Sequence, residues 1–381
     1  METRSFKDID GAVSLLGFGL MRLPTRSSDK KDIDLATGRR MVDTAIAAGV
    51  NYFDTAWVYH EGASESFAGE VLSGHPRGSY HLATKMPPWV LSSKEDLERI
   101  FTEQLRKCRV EHFDFYLLHN IGGKTYDAVL EYDVYEFLRK KKEAGYIRYL
   151  GFSVHDTTAH VARIVNEGEW DFGQLQVNYL DWEDLDAKGQ YTLLAERGIP
   201  VVVMEPLRGG ALADLPEAAA KILRRADPEA SQASWALRYA ASLPGVLTVL
   251  SGMSTLGQVE DNLRTMTHFR PLSETERALL AEVATSYRSS GTVPCTGCRY
   301  CMDCPTGVDI PRVFSLYNHY RKVRSSNPGL AEIVLSNTYY RALNKRERAE
   351  SCIACGKCVP LCPQGIDIPK AMKEIADLKN G

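Results

Sequence analysis

Residues 51–59 read N-Y-F-D-T-A-W-V-Y, residues 83–85 read A-T-K and residues 117–119 read L-L-H. Each closes a short apolar run on a polar residue able to do chemistry. Eight such runs recur between residue 13 and about 265: L-L-G-F-G-L-M-R-L (15–23), N-Y-F-D-T-A (51–56), Y-H-L-A-T-K (80–85), F-D-F-Y-L-L-H (113–119), R-Y-L-G-F-S (148–153), F-G-Q-L-Q-V-N-Y (172–179), V-V-V-M-E-P-L (201–207) and L-T-V-L-S-G (247–252). Amphipathic stretches such as 37–49 and 94–108 separate them. The first carries Met41, Ala45 and Ala48, with Gly49 as its stop signal. Alternation of this kind specifies an α/β domain. Eight units in about 250 residues is the size of a TIM (β/α)8 barrel. A doubly wound sheet would announce a glycine-rich phosphate loop after its first strand, and none is present.

In a TIM barrel the chemistry sits at the C-terminal ends of the strands. Asp54 ends the second expected strand, Lys85 the third and His119 the fourth; Tyr59 lies in the loop after Asp54. Singly, these are equally well a helix cap, a solvated lysine and a satisfied buried histidine. Together on adjacent strand ends they form a candidate catalytic rim. A free tyrosine titrates at about 10, too high to trade protons readily at neutral pH. A neighbouring ammonium favours the phenolate, and a carboxylate partner keeps that ammonium charged despite burial. A phenol and an imidazole at such a rim can stabilise negative charge that builds on a substrate oxygen.

Eight of the nine cysteines fall in the last quarter of the chain, in two near-copies of one motif. The first has Cys295, Cys298, Cys301 and Cys304 followed by Pro305; the second has Cys352, Cys355, Cys358 and Cys362 followed by Pro363. The second fits the C-x2-C-x2-C-x3-C-P run of two-cluster ferredoxins, and the eight thiolates supply four ligands for each of two [4Fe–4S] clusters. In the first motif the last gap is one residue short. The fourth cysteine of such a run ligates the other cluster, so the shortened gap need not wrap one cube. The expected sets are Cys295, Cys298, Cys301 and Cys362 on one cluster, and Cys352, Cys355, Cys358 and Cys304 on the other. Zinc is the rival ligand, but three successive short gaps closed by Cys-Pro suit it poorly. Disulfides rank last, since four cysteines within ten residues would close strained loops. Cys108 reads as a small buried apolar residue. Two helices are expected between the motifs, over Val313 to Arg348, so the module resembles the helical ferredoxins found within larger redox enzymes.

With 381 residues, 44% apolar and 25% charged, the chain has the composition of a globular protein holding a large core and a satellite. The net charge of −3 gives no reason to expect nucleic acid or an anionic membrane. No apolar run is long enough to span a bilayer, and none follows a basic N-terminus as a secretory leader would. Thiolate-bound clusters call for a reducing compartment, so the cytoplasm is expected. The expected division is a barrel over 1–288 and an iron–sulfur domain over 289–381. Ser273 with Glu276 is a capping-box signature for a helix running to about Arg288.

The segments N-Y-F-D-T-A-W-V-Y, A-T-K, L-L-H, G-F-S, L-Q-V-N-Y and M-E-P-L resemble those of the aldo-keto reductase family over roughly the first 270 residues, in order and in strand-end placement. The cysteine module resembles that of a branch of the family fused to a ferredoxin-type domain. The resemblance implies Tyr59 as proton donor to a carbonyl oxygen, Lys85 as the cation that lowers its pKa, Asp54 as partner of Lys85, and His119 as the residue orienting the carbonyl. It also implies a nicotinamide site, NAD(H) or NADP(H). Ser153 and Gln176 would hold the nicotinamide amide, with Val154 where the family has asparagine, and Met204 would stand in the place of the stacking aromatic. Ser251, Gly252, Ser254, Gln258 and Asn262 would bind pyrophosphate and adenine. No Lys or Arg lies between Ser251 and Leu263 to hold a 2′-phosphate. A hydride carries two electrons and a cluster takes one, so flavin stays open as a converter. The expected partners are a small-molecule carbonyl or alcohol and an electron-transfer protein. The expected function is an oxidoreductase whose barrel chemistry is coupled to the clusters. The alternative is a redox-sensing or regulatory barrel that binds a cofactor and acts on a partner without turnover. Trp57, Trp89 and Trp182 lie in the loops that would shape the substrate pocket.

Overall fold

The structure, a computed structural model, describes residues 1–9, 12–302 and 304–378. Eight parallel strands close into a barrel: β1 (Leu16–Gly19), β2 (Tyr52–Asp54), β3 (His81–Met86), β4 (Phe113–Leu118), β5 (Ile147–Val154), β6 (Phe172–Gln176), β7 (Val201–Met204) and β8 (Val246–Ser251). They run round the barrel in chain order, with β8 paired back to β1. All eight expected strands are there. Parallel neighbours need a crossover between them. Helices α1 (Leu35–Ala47), α2 (Ser64–Leu72) and α3 (Glu95–Cys108) belong to the first of these. In α3, Leu97, Ile100, Phe101, Gln104 and Cys108 recur at helical spacing on the buried side. Acidic residues fill its first turn and basic ones its last, matching the helix dipole. Burial pushes the Cys108 thiol well up, as befits an inert core cysteine.

Strands covered on both faces must be apolar throughout, and every residue of β2, β3, β4, β6 and β8 is buried. Tyr52, Phe115, Tyr149 and Phe172 belong to the core inside the barrel. Phe6, from an N-terminal hairpin pairing Thr3–Arg4 with Val13–Ser14, joins them, its ring centroid 4.8 Å from Tyr149 and 5.5 Å from Phe115. The strands of this hairpin are too short for a period to show in the sequence. Register brings the strand ends together at a rim: Gly19 lies opposite Asp54, Gln176 opposite Met204, and Ser251 opposite Phe18.

Packing groups the chain into two compact units: Met1–Pro206 with Ser234–Leu272, and Leu207–Ala233 with the chain from Ser273 on. Helix Glu274–Arg288, which chain order places at the end of the barrel segment, packs in the second unit against helix Glu217–Ala226. It has the expected capping box. Ser273 Oγ accepts from the Glu276 N–H at 3.2 Å, and the Glu276 carboxylate accepts from the Ser273 N–H at 2.8 Å. Between the cysteine motifs stand helices Ile310–Ser326 and Pro328–Val334, the latter continued by a π-turn over Leu335–Tyr339. Val313, Phe314, Tyr320, Ala331 and Met372 belong to the core of this unit with Cys301, and Cys295, Cys304, Cys352, Cys358 and Cys362 border it. Among the described residues no helix is long and apolar enough to cross a membrane.

Candidate functional site

Neighbouring β2 and β3 set Asp54 and Lys85 side by side, and both side chains are buried. Lys85 Nζ donates to both carboxylate oxygens of Asp54 and to the Thr55 carbonyl oxygen, each at 2.7 Å. An ammonium has three protons, so this set uses them all. Burial pushes Lys85 down and Asp54 up from their ordinary values, and the charge of each partner opposes the shift in the other. The ammonium stands 5.0 Å from the centroid of the Tyr59 ring. Tyr59 meets His119 edge-on, with ring centroids 6.0 Å apart, and Trp89 lies 4.9 Å from His119 on the centroid measure. The structure therefore gathers Asp54, Lys85, Tyr59 and His119 at one place. His119 Nδ1 is buried without a hydrogen-bond partner, a polar atom that a ligand oxygen can satisfy. The Lys107 ammonium stands over the Trp57 ring, 3.9 Å from its centroid, and Trp182 packs among Tyr191 and Tyr239.

Behind Lys85 lies a polar layer that sequence reasoning missed. Glu65 of α2 is buried and accepts from Thr84 Oγ1 and Gln104 Nε2, both at 2.7 Å. Gln104 also donates to the Lys85 carbonyl oxygen at 2.9 Å, tying α3 to the backbone of β3. Burial pushes Glu65 up, and the bonds from Thr84 and Gln104 work the other way. The only signal in the chain is a polar residue on the buried face of each of two amphipathic helices.

The expected cofactor residues lie at the ends of β5 to β8. Ser153 Oγ accepts from the Asn120 N–H at 2.8 Å and so holds the loop after β4. Gln176 Nε2 donates to the buried Asp181 carboxylate at 2.7 Å, and the Gln176 side chain also bonds His155. Met204 Sδ accepts from Gln174 at 3.5 Å. Ser251 Oγ accepts from Asn262 Nδ2 at 2.9 Å, tying β8 to helix Leu256–Thr267. Gln258 closes the capping box of that helix with Thr255, and its amide oxygen also accepts from the Ser254 N–H at 2.7 Å. Gly252 lies under the aliphatic stem of Arg22, and Ser254 Oγ donates to the Arg22 carbonyl oxygen at 2.7 Å. A basic side chain thus stands at this loop after all, delivered from the segment after β1, some 230 positions away in the chain.

Two histidines of the rim are held neutral. Burial, with Lys85 as the next cause, pushes His119 well below its ordinary value, and burial pushes His155 down to about 4. The unfolded chain protonates both as pH falls through about 6.5, whereas the fold resists. Their contribution to stability is therefore complete above that pH and is lost below it, at up to about 1.4 kcal/mol per pH unit for each histidine. All five tryptophans lie in the barrel unit, so their fluorescence reports its denaturation. The denaturant midpoint is expected to fall from pH 7 to pH 5, and less steeply in His155→Gln; an equal slope in that variant would count against this origin.

Within the second unit the thiols fall into two neighbourhoods. Cys295, Cys298, Cys301 and Cys362 line one cavity. Burial, then the negative neighbours Cys298, Cys295 and Cys362, push Cys301 up to about 12. Cys358 is raised by burial and by Cys352, Cys355 and Cys304. Around the first set the cavity is also lined by Thr296, Arg299 and Gln364, and thiolates crowded this way need a cationic metal core to offset their repulsion. For Cys304 burial acts upward, but the Thr306 hydroxyl and the N–H groups of Thr306, Val308 and Gly307 outweigh it and hold the thiol below its ordinary value. The Gly297 N–H donates to Cys295 Sγ at 3.4 Å, a kind of bond that tunes sulfur ligands.

Comparison with known proteins identifies both parts of the chain. The model of the aldo/keto reductase family matches residues 15–285, and that of the 4Fe-4S dicluster domain matches residues 294–366. The chain is 25% identical over 309 residues to the uncharacterized oxidoreductase YqkF of Bacillus subtilis, covering 73% of this chain and 95% of that one. It is 26% identical to L-galactose dehydrogenase of Arabidopsis thaliana over 305 residues, covering 73% and 92%. Among solved structures, the holo form of aldo-keto reductase AKR11C1 from Bacillus halodurans superposes with a TM-score of 0.62 at 28% identity, covering 74% of this chain and 96% of that one. The chain belongs to the aldo/keto reductase family and carries a C-terminal 4Fe-4S dicluster domain.

Proposed function

We propose that this oxidoreductase interconverts a small-molecule carbonyl and its alcohol at the rim holding Tyr59, Lys85, Asp54 and His119, and that the cysteine module carries single electrons between the barrel and an external electron-transfer protein, one hydride equivalent balancing as one proton and two electrons, one for each cluster. The observation that carries the barrel reading is the buried Lys85–Asp54 pair beneath the Tyr59 ring. Such a pair costs desolvation energy, and a fixed cation beside a phenol gives that cost a chemical use.

Bound nicotinamide would supply the hydride. In the reducing direction the Tyr59 phenol gives its proton to the carbonyl oxygen as the carbonyl carbon is reduced, leaving an alcohol and a phenolate, which takes a proton back from solvent. Lys85 favours that phenolate electrostatically, and Asp54 keeps Lys85 charged. His119, neutral, donates a hydrogen bond that orients the carbonyl. In this reading Ser153 and Gln176 hold the nicotinamide amide, and the bonds of Gln176 to Asp181 and His155 support that role by fixing its orientation.

The test uses the anaerobic holoprotein. Adding NADH or NADPH and then candidate carbonyls or alcohols is expected to change the broad iron–sulfur absorption in a substrate-dependent way. Nucleotide binding with no turnover and no substrate-dependent change would overturn the enzymatic coupling in favour of a regulatory barrel.

A further inference from the structure

Tyr59 is followed by two non-glycine residues in the left-handed region, His60 (φ 51°, ψ 41°) and Glu61 (φ 51°, ψ 36°), and then by Gly62 (φ 92°). L-residues disfavour this region because Cβ crowds the carbonyl oxygen. It persists only where the surroundings over-determine it. The His60 side chain does so here. It is buried, with 8% of its surface exposed. Its Nε2 lies 3.1 Å from the Leu23 amide nitrogen and its Nδ1 lies 2.8 Å from the Lys30 carbonyl oxygen. An amide N–H only donates and a carbonyl only accepts. The ring is therefore neutral, with its proton on Nδ1, and it joins the turn to two points of the segment after β1. Burial holds this imidazole below its ordinary value, in keeping with that state. Lys107 of α3 grips the far end of the turn. Its Nζ donates to the Gly62 carbonyl oxygen at 3.4 Å and lies 3.7 Å from the Glu65 carboxylate.

We infer that His60 is a positioning residue: by pinning the left-handed turn to Leu23 and Lys30, it fixes where the Tyr59 phenol stands beside Lys85 and His119. This rests on the reading of Tyr59 as proton donor. The strained turn is otherwise free to relax toward right-handed geometry, and that relaxation would move the residue directly before it. Misplacement of a reacting group by about 1 Å can cost about 10²-fold in rate.

The test compares the full holoprotein with His60→Ala, His60→Gly, His60→Asn and Tyr59→Phe. Turnover is read as NAD(P)H-dependent reduction of 4-nitrobenzaldehyde, and the clamp is read separately by hydrogen exchange in peptides spanning Leu23. Glycine at position 60 removes the backbone penalty together with the clamp. His60→Gly and His60→Ala are both expected to lose about 10²-fold in kcat, with KM, nucleotide affinity and melting temperature close to the parent's. Exchange at Leu23 is expected to accelerate in both. Asparagine tolerates positive φ and offers an acceptor oxygen, so His60→Asn is expected to recover part of kcat. Parental kcat in His60→Gly while Tyr59→Phe is dead would overturn the positioning role and leave the proton donor standing. Parental turnover in Tyr59→Phe would instead sink the functional reading. Equal Leu23 exchange in the parent and in His60→Gly would overturn the clamp without reference to turnover.

Discussion

Tyr59→Phe is expected to lose carbonyl reduction by about 10²–10⁴-fold, the usual loss when a positioned general acid is removed, while nucleotide affinity stays near the parent's. The substitution deletes one oxygen and keeps the ring, so the contacts with Lys85 and His119 survive. Lys85 keeps its three bonds to Asp54 and Thr55, and the buried pair is left intact. A loss seen in kcat with little change in KM marks an interaction made in the transition state. Unchanged turnover would place the chemistry elsewhere in the barrel.

The second large effect concerns iron. The anaerobic protein is expected to hold about eight irons with matching sulfide, four per cluster, and little zinc. Cys362→Ser is expected to remove one cluster, the one otherwise held by Cys295, Cys298 and Cys301, which share its cavity. Paired substitutions separate this from ligation in chain order. Cys295→Ser with Cys362→Ser is expected to lose about four irons, because both thiols serve one cluster, whereas Cys358→Ser with Cys362→Ser is expected to lose about eight. The reverse outcome, read by metal analysis and electron paramagnetic resonance, would establish ligation motif by motif. Stoichiometric zinc without sulfide would remove the electron-transfer role altogether.

Much of this protein is written in short-range pattern. Strand runs, the capping box at Ser273 and Glu276, and the spacing of Cys352, Cys355 and Cys358 involve residues within a few positions of one another, and backbone geometry turns such spacing directly into structure. Asp54, Lys85 and His119 were legible as a group for a related reason. Strand ends in a parallel barrel share one rim, so position along a strand stands in for position in space. Tyr59 could be placed in the loop, but not oriented.

Orientation and partnership came only with the tertiary structure. The acceptor and donor that hold His60 lie at Lys30 and Leu23, the layer behind Lys85 joins Glu65 to Gln104, and Arg22 reaches the loop at Gly252. None of these pairs is near in sequence, and each exists because barrel closure and register carry distant segments together. The grouping of Leu207–Ala233 with the chain from Ser273 on is of the same kind. A buried polar atom takes whichever partner the fold brings within reach, because leaving it without one costs about 1–3 kcal/mol. The chain therefore states which residues need partners, and packing decides which partners they receive.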